Sequence, residues 1–558
     1  MDAAEFHFSP RPNRADEIKW RPWSQASFDE AKALDRPILL SISAVWCHWC
    51  HVMDETTYSN QGVIDMVNSE YLPIRVDNDV RPDINQRYNM GGWPTTAFLT
   101  PTGDILTGAT YLPPEQMAGA LGRVASYYRT HGPEIATQVL ESRKRAGSIG
   151  ARSAGELDDS LVDSILQAVS SSYDAEFGGF GVAPKFPQTE AIQLLLEQAQ
   201  LRSDKELRQM AIYTLERMAG GATYDHVEGG FFRYSTTQDW SVPHFEKMLE
   251  DHAGLVAALA AAGMTTVLDT TTAYLGATLR DPATGLFAGS QDADEHYYAL
   301  DAAGRAKLTP PFVDRRVYAA WNAALAVAYL DAARRCERPE LKAQAQQLLE
   351  SLFAARYRRA EGIAHAEDIS GQLGDQVWGL LAAVRAHQAG LHPNRWFEVA
   401  LDLAQHLEDR YADSANGGYY DRVGGDELGR LSDPIKPLVE NSVAAIALIE
   451  LDTLRGEPDA PFAGRARAAL ASVAGLPRQY GLMAAVFARA LDRAGRQLKV
   501  TTGSETLART ALLTHPYVVI EPGDDDRAVV CIGTICLAPV STKSALIEAI
   551  QEAAATSV

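Results

Sequence analysis

Ala44-Val45-Trp46-Cys47-His48-Trp49-Cys50-His51-Val52-Met53 is the stretch that decides the fold. A strand-like apolar run, Pro37-Ile38-Leu39-Leu40-Ser41-Ile42-Ser43, leads into it, and helical periodicity follows for about twenty residues. A Cys-x-x-Cys at a strand-to-helix junction points to a redox dithiol. Its first cysteine falls at a helix N-terminus, where free N–H groups and the macrodipole favour a thiolate. His48, inside the dipeptide, would add positive charge beside Cys47. The competing reading is half of a zinc site, but zinc takes four ligands and no second close Cys pair flanks this one. The dithiol is favoured, and neither a metal nor a cofactor is implied.

Working outward, residues 20–128 alternate strand and helix. Ser27 to Leu34 reads as a short amphipathic helix, broken by Asp35-Arg36-Pro37. Beyond the Cys pair, Val63, Met66, Val67 and Tyr71 keep helical spacing. Leu72 to Asp77 reads as a strand, Pro82 to Tyr88 as a helix, and Gly91-Gly92-Trp93-Pro94-Thr95-Thr96-Ala97-Phe98-Leu99 as a proline entering an apolar strand. Thr100-Pro101-Thr102-Gly103-Asp104 is a tight turn by its Pro and Gly content, with Ile105 to Ala109 as hairpin partner and Glu115 to Tyr128 as closing helix. That order is thioredoxin-like. In such a fold Pro94 is expected to be cis and to present backbone to an extended partner, with Trp46 and His48 supporting the cysteines. The competing reading is an unrelated βα unit with an edge-strand proline.

Together, Cys47-His48-Trp49-Cys50-His51-Val52-Met53, Val76-Asp77, Arg81-Pro82-Asp83, Gly91-Gly92-Trp93-Pro94 and Phe98-Leu99-Thr100-Pro101 resemble the YyaL and spermatogenesis-associated protein 20 family. The resemblance implies a thioredoxin-like domain followed by an (α/α)6 barrel related to six-hairpin glycosidases and sugar 2-epimerases. This chain departs from the pattern in an abbreviated N-terminal segment and a trimmed loop before Gly91.

Composition sets outer limits. A chain of 558 residues suggests three or four domains, and 46% hydrophobic with 22% charged residues suits a soluble protein with sizeable cores. The balance of 51 basic against 72 acidic residues, −21, argues against nucleic acid or anionic membrane as partner. Met1 to Arg14 lacks an apolar signal core, and the Ala/Leu-rich run Ala253 to Met264 is too short to span a bilayer. Five cysteines form no disulfide framework, and their odd number fits a reducing cytoplasm. No Gly-rich phosphate loop, Gly-x-Ser-x-Gly elbow or His-Glu-x-x-His occurs.

After a linker-like stretch the text turns to Ala- and Leu-rich helices with recurring punctuation. Gly178-Gly179-Phe180, Gly229-Gly230-Phe231, Gly285-Leu286-Phe287, Gly362-Ile363-Ala364, Gly417-Gly418-Tyr419 and Gly481-Leu482-Met483 mark six periods. Two helices per period predict six hairpins, in a ring or an open solenoid, with the Gly-aromatic loops at one end. The number six and the family resemblance favour the closed barrel. The expected division is 1–131 thioredoxin-like, 132–156 linker, 157–496 barrel, and 497–558 a small α/β appendage.

Function in such a barrel belongs in the loops. The densest run is Tyr224 to Tyr234 followed by Trp240 to Leu249. It supplies Asp225, His226, Glu228, Arg233, His244, Glu246 and Lys247, and resembles the family's Gly-Gly-Phe…Arg-Tyr…Val-Pro-His-Phe-Glu-Lys-Met-Leu segment. Charges among aromatics suit a polyhydroxylated, carbohydrate-like ligand. The blander reading has His244, Glu246 and Lys247 opening a helix and pairing locally. Lys185, Asp292 and Asp294, Trp321 and Asn322, Asp375 and Asn441 complete the mouth candidates. Of these, Asp292-Ala293-Asp294, Trp321-Asn322-Ala323 (glycine in the family) and Pro437…Asn441-Ser442 resemble family motifs. Glycoside hydrolysis would use two of the carboxyls, and epimerisation would use His226 and His244 as an acid/base pair.

In the tail, Cys531 and Cys536 resemble a family ending with Cys-x-x-Pro, as Cys536-Leu537-Ala538-Pro539. They either exchange with Cys47–Cys50 or are small buried residues, the second being favoured. Cys336 reads as helix filler. Three functions stay open. The first is a thiol–disulfide oxidoreductase with a protein thiol or disulfide partner. The second is a sugar isomerase, epimerase or glycosidase in the barrel, with a regulatory thioredoxin unit. The third is a non-enzymatic redox-sensing or binding scaffold.

Overall fold

The structure, a computed structural model, describes residues 6–146, 154–158, 160–425, 427–457 and 461–556. The chain divides into two compact units, residues 1–151 with 424–435, and residues 152–423 with 436–558.

In the first unit a four-stranded sheet runs in the order β2-β1-β3-β4. Here β1 is Ile38–Ser43, β2 Leu72–Asp77, β3 Thr95–Leu99 and β4 Ile105–Ala109. β1 is parallel to β2 and antiparallel to β3. Leu39 on one face joins the core of Met53, Tyr58 and Phe98, and Leu40 on the other joins that of Phe28, Ile74 and Tyr88. Both faces are therefore covered, which explains why β1 reads as an unbroken apolar run rather than an alternating one. The expected helices form as α1 (Gln25–Leu34), α2 (His48–Glu55), α3 (Gln61–Glu70) and α4 (Pro82–Tyr88). Side chains start them: the Ser24 hydroxyl accepts from Ser27 N–H, and the Asn60 carbonyl oxygen from Val63 N–H at 3.2 Å. α5 runs from Pro114 to Ala146, well past Tyr128. Residues 132–146, expected as linker, are thus helical; residues 147–153 of that stretch lie outside the described residues. A second difference concerns residues 424–435, expected in the barrel. They cluster with the first unit, where Leu431 is buried in the core around Tyr88 and the Arg430 N–H donates to the Tyr88 hydroxyl at 2.7 Å.

The second unit closes as a double ring of twelve helices among the described residues. The inner ring is Thr189–Arg202, Leu249–Ala262, Ala319–Arg335, Leu373–Gln388, Leu438–Arg455 and Ala485–Arg496, each packed on the next and the last on the first. The outer ring is Ser160–Ser172, Lys205–Gly220, Thr265–Tyr274, Pro339–Arg356, Pro393–Arg410 and Pro461–Val473. This closure selects the (α/α)6 barrel over the open solenoid. Every long loop runs from an outer helix to the following inner one, so the six Gly-containing loops share one end. Inner-to-outer connections are short and occupy the other.

Beyond Arg496 a small sheet in the order β6-β5-β7-β8 packs on the short-connection end. Its strands are β5 (Leu498–Thr502), β6 (Val518–Pro522), β7 (Ala528–Ile532) and β8 (Ile535–Cys536). Ile520 N–H donates to the Gln388 side chain at 3.2 Å, and the Arg335 guanidinium donates to the Leu512 carbonyl at 3.2 Å. β5 is parallel to β6 and antiparallel to β7, the pattern that β1 makes with β2 and β3.

Candidate functional site

The local sequence builds the dithiol site from three directions. β1 ends at Ser43, and Cys47 becomes the N-cap of α2, its sulfur accepting from Cys50 N–H at 3.2 Å. Cys47 and Cys50 are joined as a disulfide and are 3% and 2% exposed. The Trp93–Pro94 bond is cis, as expected. Trp46 packs edge-on against Trp93 at 5.6 Å, and its indole N–H donates to Asp79 at 2.7 Å. α2 is fixed to β2 by a buried two-point ion pair, Arg75 to Asp54 at 2.9 Å for both bonds, with the Arg75 cation 4.7 Å from the Phe8 ring. His48 is half-buried, and the exposed side chain of the motif is Trp49. His51 is buried. Burial foremost, then the neighbouring His7, pushes its imidazolium down to about 3, so the ring is neutral at ordinary pH.

In the barrel, the loop residues fall into a repeated lock that the sequence reading took for a ligand mouth. Asp225 N–H donates to the Gly230 carbonyl at 3.0 Å, and Gly229 N–H to the Asp225 carbonyl at 2.8 Å. Both glycines have positive φ, +82° and +78°, and a Cβ on Gly230 would come within 2.5 Å of the Tyr274 ring. Lys247 Nζ then donates to the Asp225 carboxylate at 2.7 Å and the Gly229 carbonyl at 2.9 Å. Lys185 does the same to Asp174 and Gly178, and Lys436 to Asp413 and Gly417. Three of the six loops are therefore held by one Lys–Asp–Gly device, and Lys185, Asp225 and Lys247 are structural in it. Burial pushes the Asp225 carboxyl up, but Arg305 and Lys247 outweigh it and hold it down at about 2.

The next inner helix grips the aromatic after the glycine. The Asn441 amide accepts from Tyr419 N–H at 2.8 Å and donates to the Tyr419 carbonyl at 2.9 Å. Asn322 holds Phe287 in the same way, and Gln376 holds Ile363. In the second repeat His252 Nε2 accepts from Phe231 N–H at 2.9 Å. Asn322 and Asn441 thus point at backbone.

Several remaining candidates are also engaged in the scaffold. His226 is exposed, with its ring 3.0 Å from the Gly221 carbonyl of its own loop. Glu228 accepts from the Tyr297 hydroxyl at 2.6 Å, Asp294 caps the turn at Glu295–Tyr298, and Asp292 accepts from Ala293 N–H at 2.8 Å. Asp375 pairs with His365 at 3.1 Å and accepts from Ala320 N–H at 2.9 Å. His244, Glu246 and Lys247 do not open a helix; His244 and Lys247 lie in short bridged segments, Pro243–His244 and Lys247–Met248, with Glu246 between them, before the helix begins at Leu249. His244 contacts Glu246 and stacks on Tyr234, which stacks on Phe186 in turn, with ring centroids 4.7 Å apart in both cases. Arg233 and Trp321 are half-buried.

The groups missed in the sequence stand in the first turns of inner helices. Glu250 is exposed, yet protein atoms crowd it within the barrel end, and that desolvation with the neighbouring Asp251 pushes its carboxyl up to about 7. Asp251 is pushed up to about 6 by burial, against Arg233 and with Glu246, and its buried Oδ2 has no hydrogen-bond partner among the described residues. Glu440, on the helix Leu438–Arg455, is raised by burial and by Asp421 despite its own backbone N–H, and its charge is near enough to push on Glu250. A cavity of about 620 Å³ lies at the other end among Arg335, Arg385, Arg489 and Arg493. Glu450 takes Arg385 at 2.6 Å and Arg493 besides, Glu190 and Glu197 take Arg489, and Arg335 donates to the Leu512 carbonyl. Among the described residues no helix is long and apolar enough to cross a membrane, and no cluster of three His, Cys, Asp or Glu could hold a metal ion.

Residues 11–142 match a family described as Thioredox_DsbH, protein of unknown function. The chain is 34% identical over 264 residues to human spermatogenesis-associated protein 20, which is 43% of this chain and 34% of that protein. It is 35% identical over 258 residues to the uncharacterized protein B0495.5 of Caenorhabditis elegans, covering 43% and 35% of the two chains. The matches take in about a third of each relative's length. Among solved structures it is similar to a sugar epimerase from a ruminal bacterium, with 13% identity and a TM-score of 0.46 over 57% of this chain and 85% of that one. It is also similar to a thioredoxin from Thermus thermophilus, with 20% identity and a TM-score of 0.19 over 20% and 89%. We draw nothing on substrate from these likenesses.

Proposed function

We propose, for a chain that belongs to the YyaL and spermatogenesis-associated protein 20 family, that the first unit carries out thiol–disulfide exchange through Cys47 and Cys50. The observation that carries this reading is the Cys47 sulfur at the N-cap of α2, accepting from Cys50 N–H. An N–H donor and the positive end of the helix stabilise a thiolate there. From the reduced dithiol, the Cys47 thiolate attacks one sulfur of a partner disulfide, and the other partner sulfur leaves with the electron pair and takes a proton. The Cys50 thiol gives up its proton and attacks the Cys47 sulfur, releasing the second partner thiol and leaving the Cys47–Cys50 disulfide. Two electrons pass to the partner, and the reverse sequence oxidises a partner dithiol. Because Cys47 is covered in the oxidised state, a protein partner must displace what covers it, whereas a small thiol needs less room.

The test is a redox titration against glutathione, with alkylation and mass spectrometry of each cysteine. A reversible two-electron couple at Cys47–Cys50 between roughly −120 and −270 mV, lost in Cys47→Ser, supports the reading. No couple in that window sinks it.

A second reading, acid–base chemistry on a polyhydroxylated small molecule in the barrel, is favoured by one observation. Glu250 and Asp251 have carboxyls raised toward neutrality, and Asp251 feels the charge of Glu246, which contacts His244. Turnover or binding of reducing sugars by the full chain, abolished in Glu250→Gln and untouched in Cys47→Ser, is its expected result. Sugar turnover that persists in Glu250→Gln would remove the site from consideration.

A further inference from the structure

The tail holds thiol chemistry that neither reading uses. Cys531 on β7 and Cys536 on β8 face each other across a hairpin and are joined as a disulfide. Both were expected as small buried residues, and only Cys531 is one, at 4% exposure. Cys536 is exposed, next to Ile535 at 69%, on a two-residue strand at the outer edge of the sheet.

The comparison with the first sheet is informative, because strand order and strand senses are the same. In the first sheet the N-cap of the helix after the leading strand is Cys47. In the tail that position is Ser504, capping the helix Glu505–Thr514 through its hydroxyl and Leu507 N–H. The tail cysteines have instead moved to the hairpin, away from any helix N-terminus. Cys536 therefore lacks the N–H donor and dipole that make Cys47 an attacking sulfur, and Cys531 is buried, which favours its neutral thiol.

We propose that Cys531–Cys536 is an accepting disulfide, a second exchange site opened only from the Cys536 side by a small thiol such as glutathione. The thiolate of the small thiol attacks the Cys536 sulfur, a new S–S bond forms there, and the Cys531–Cys536 bond breaks. Cys531 departs with the electron pair and takes a proton from water. A second small thiol, as its thiolate, then attacks the mixed disulfide at the small thiol's sulfur. This releases Cys536, which is protonated in turn, and yields the small thiol's own disulfide. The hairpin gains two electrons in all, and two small thiols supply them. Attack on Cys531 is blocked by the strand and core around it. Once open, β8 stays on the sheet edge through its backbone pairing with β7 and the Leu537 N–H to the Val530 carbonyl at 2.8 Å.

The experiment uses the full chain with Cys47→Ser and Cys50→Ser already in place, so that the first site plays no part in the outcome. Treatment with millimolar reduced glutathione should open Cys531–Cys536 while the barrel's melting transition stays where it is. In that background, Cys531→Ser treated with oxidised glutathione should accumulate an adduct on Cys536. Cys536→Ser treated alike should label Cys531 at least tenfold more slowly. A disulfide that resists glutathione until the chain unfolds, or equal labelling of the two cysteines, overturns the proposal.

Discussion

Asp225→Asn separates a scaffold from a ligand site in the densest loop. Asp225 is 3% exposed, and its carboxylate takes Lys247 Nζ and Arg305 Nη1, each at 2.7 Å. The amide is nearly the same shape, so the change is electrostatic: buried Lys247 loses its paired carboxylate, and Arg305 keeps only Glu228, at 3.2 Å. Removing one partner of a buried pair costs roughly 3–5 kcal/mol. Lys247→Met is milder, because Asp225 keeps Arg305 and the main loss is a charged donor to the carboxylate and to the Gly229 carbonyl, about 1.5–3 kcal/mol. The order Asp225→Asn worse than Lys247→Met follows from which charge is stranded. At roughly 2–4 °C per kcal/mol for a large domain, Asp225→Asn lowers the barrel's melting transition by on the order of 10 °C. Differential scanning calorimetry of the full chain reads this, with titration of Cys47–Cys50 in parallel to verify the first unit. An Asp225→Asn protein that melts with wild type but loses ligand binding would refute the lock and return Asp225 to the ligand site.

Asn441 is fully buried and satisfies both the N–H and the carbonyl of Tyr419. Asn441→Ala should therefore cost about 2–6 kcal/mol in denaturant unfolding, two stranded groups at roughly 1–3 kcal/mol each; a loss under about 1 kcal/mol on the same scale would contradict the bonding described. The stability of the first unit should also fall on mild acidification. His51 is held down to about 3 by burial and the neighbouring His7, so between that value and about 6.5 the unfolded chain binds a proton that the folded chain does not. This removes about 1.4 kcal/mol per pH unit as pH drops below about 6.5, and the slope for the first unit should flatten in His51→Gln; an unchanged slope would mean His51 titrates normally in the folded chain.

Much of the fold was legible because it was written in local terms. The run Ile38 to Ser43, the Cys pair at a helix start, the proline before Thr95 and the Gly-aromatic punctuation each carry their own physics within a few residues. The roles of the loop charges were not legible, because a lysine and an aspartate 22 residues apart look the same whether they hold a ligand or each other. The recurrence of the lock at Lys185, Lys247 and Lys436 was present in the text, but the spacing from aspartate to lysine is 11, 22 and 23 residues, so no fixed motif exposes it. Residues 424–435 were misplaced for a similar reason: only tertiary packing reveals that Leu431 completes the core around Tyr88.

The same repeat logic says where departure from structure begins. Four of the six inner helices carry an acid in the first turn: Glu190, Glu250 with Asp251, Asp375 and Glu440. A helix N-terminus favours a carboxylate, so the position alone proves nothing. Glu190 contacts Arg489, and Asp375 has His365 and Ala320 N–H, so in two helices the acid is absorbed into the scaffold. Glu250 and its neighbour Asp251 have the Arg233 charge near enough to pull them down, and Glu440 has its own backbone N–H. Dipoles that should lower these carboxyls fail to do so, since burial and mutual repulsion push the other way. Arg233 weighs against the rise at Glu250 and Asp251 without cancelling it, so two inner helices keep first-turn acids with raised carboxyls where the other two have theirs locked into contacts with Arg489 or His365.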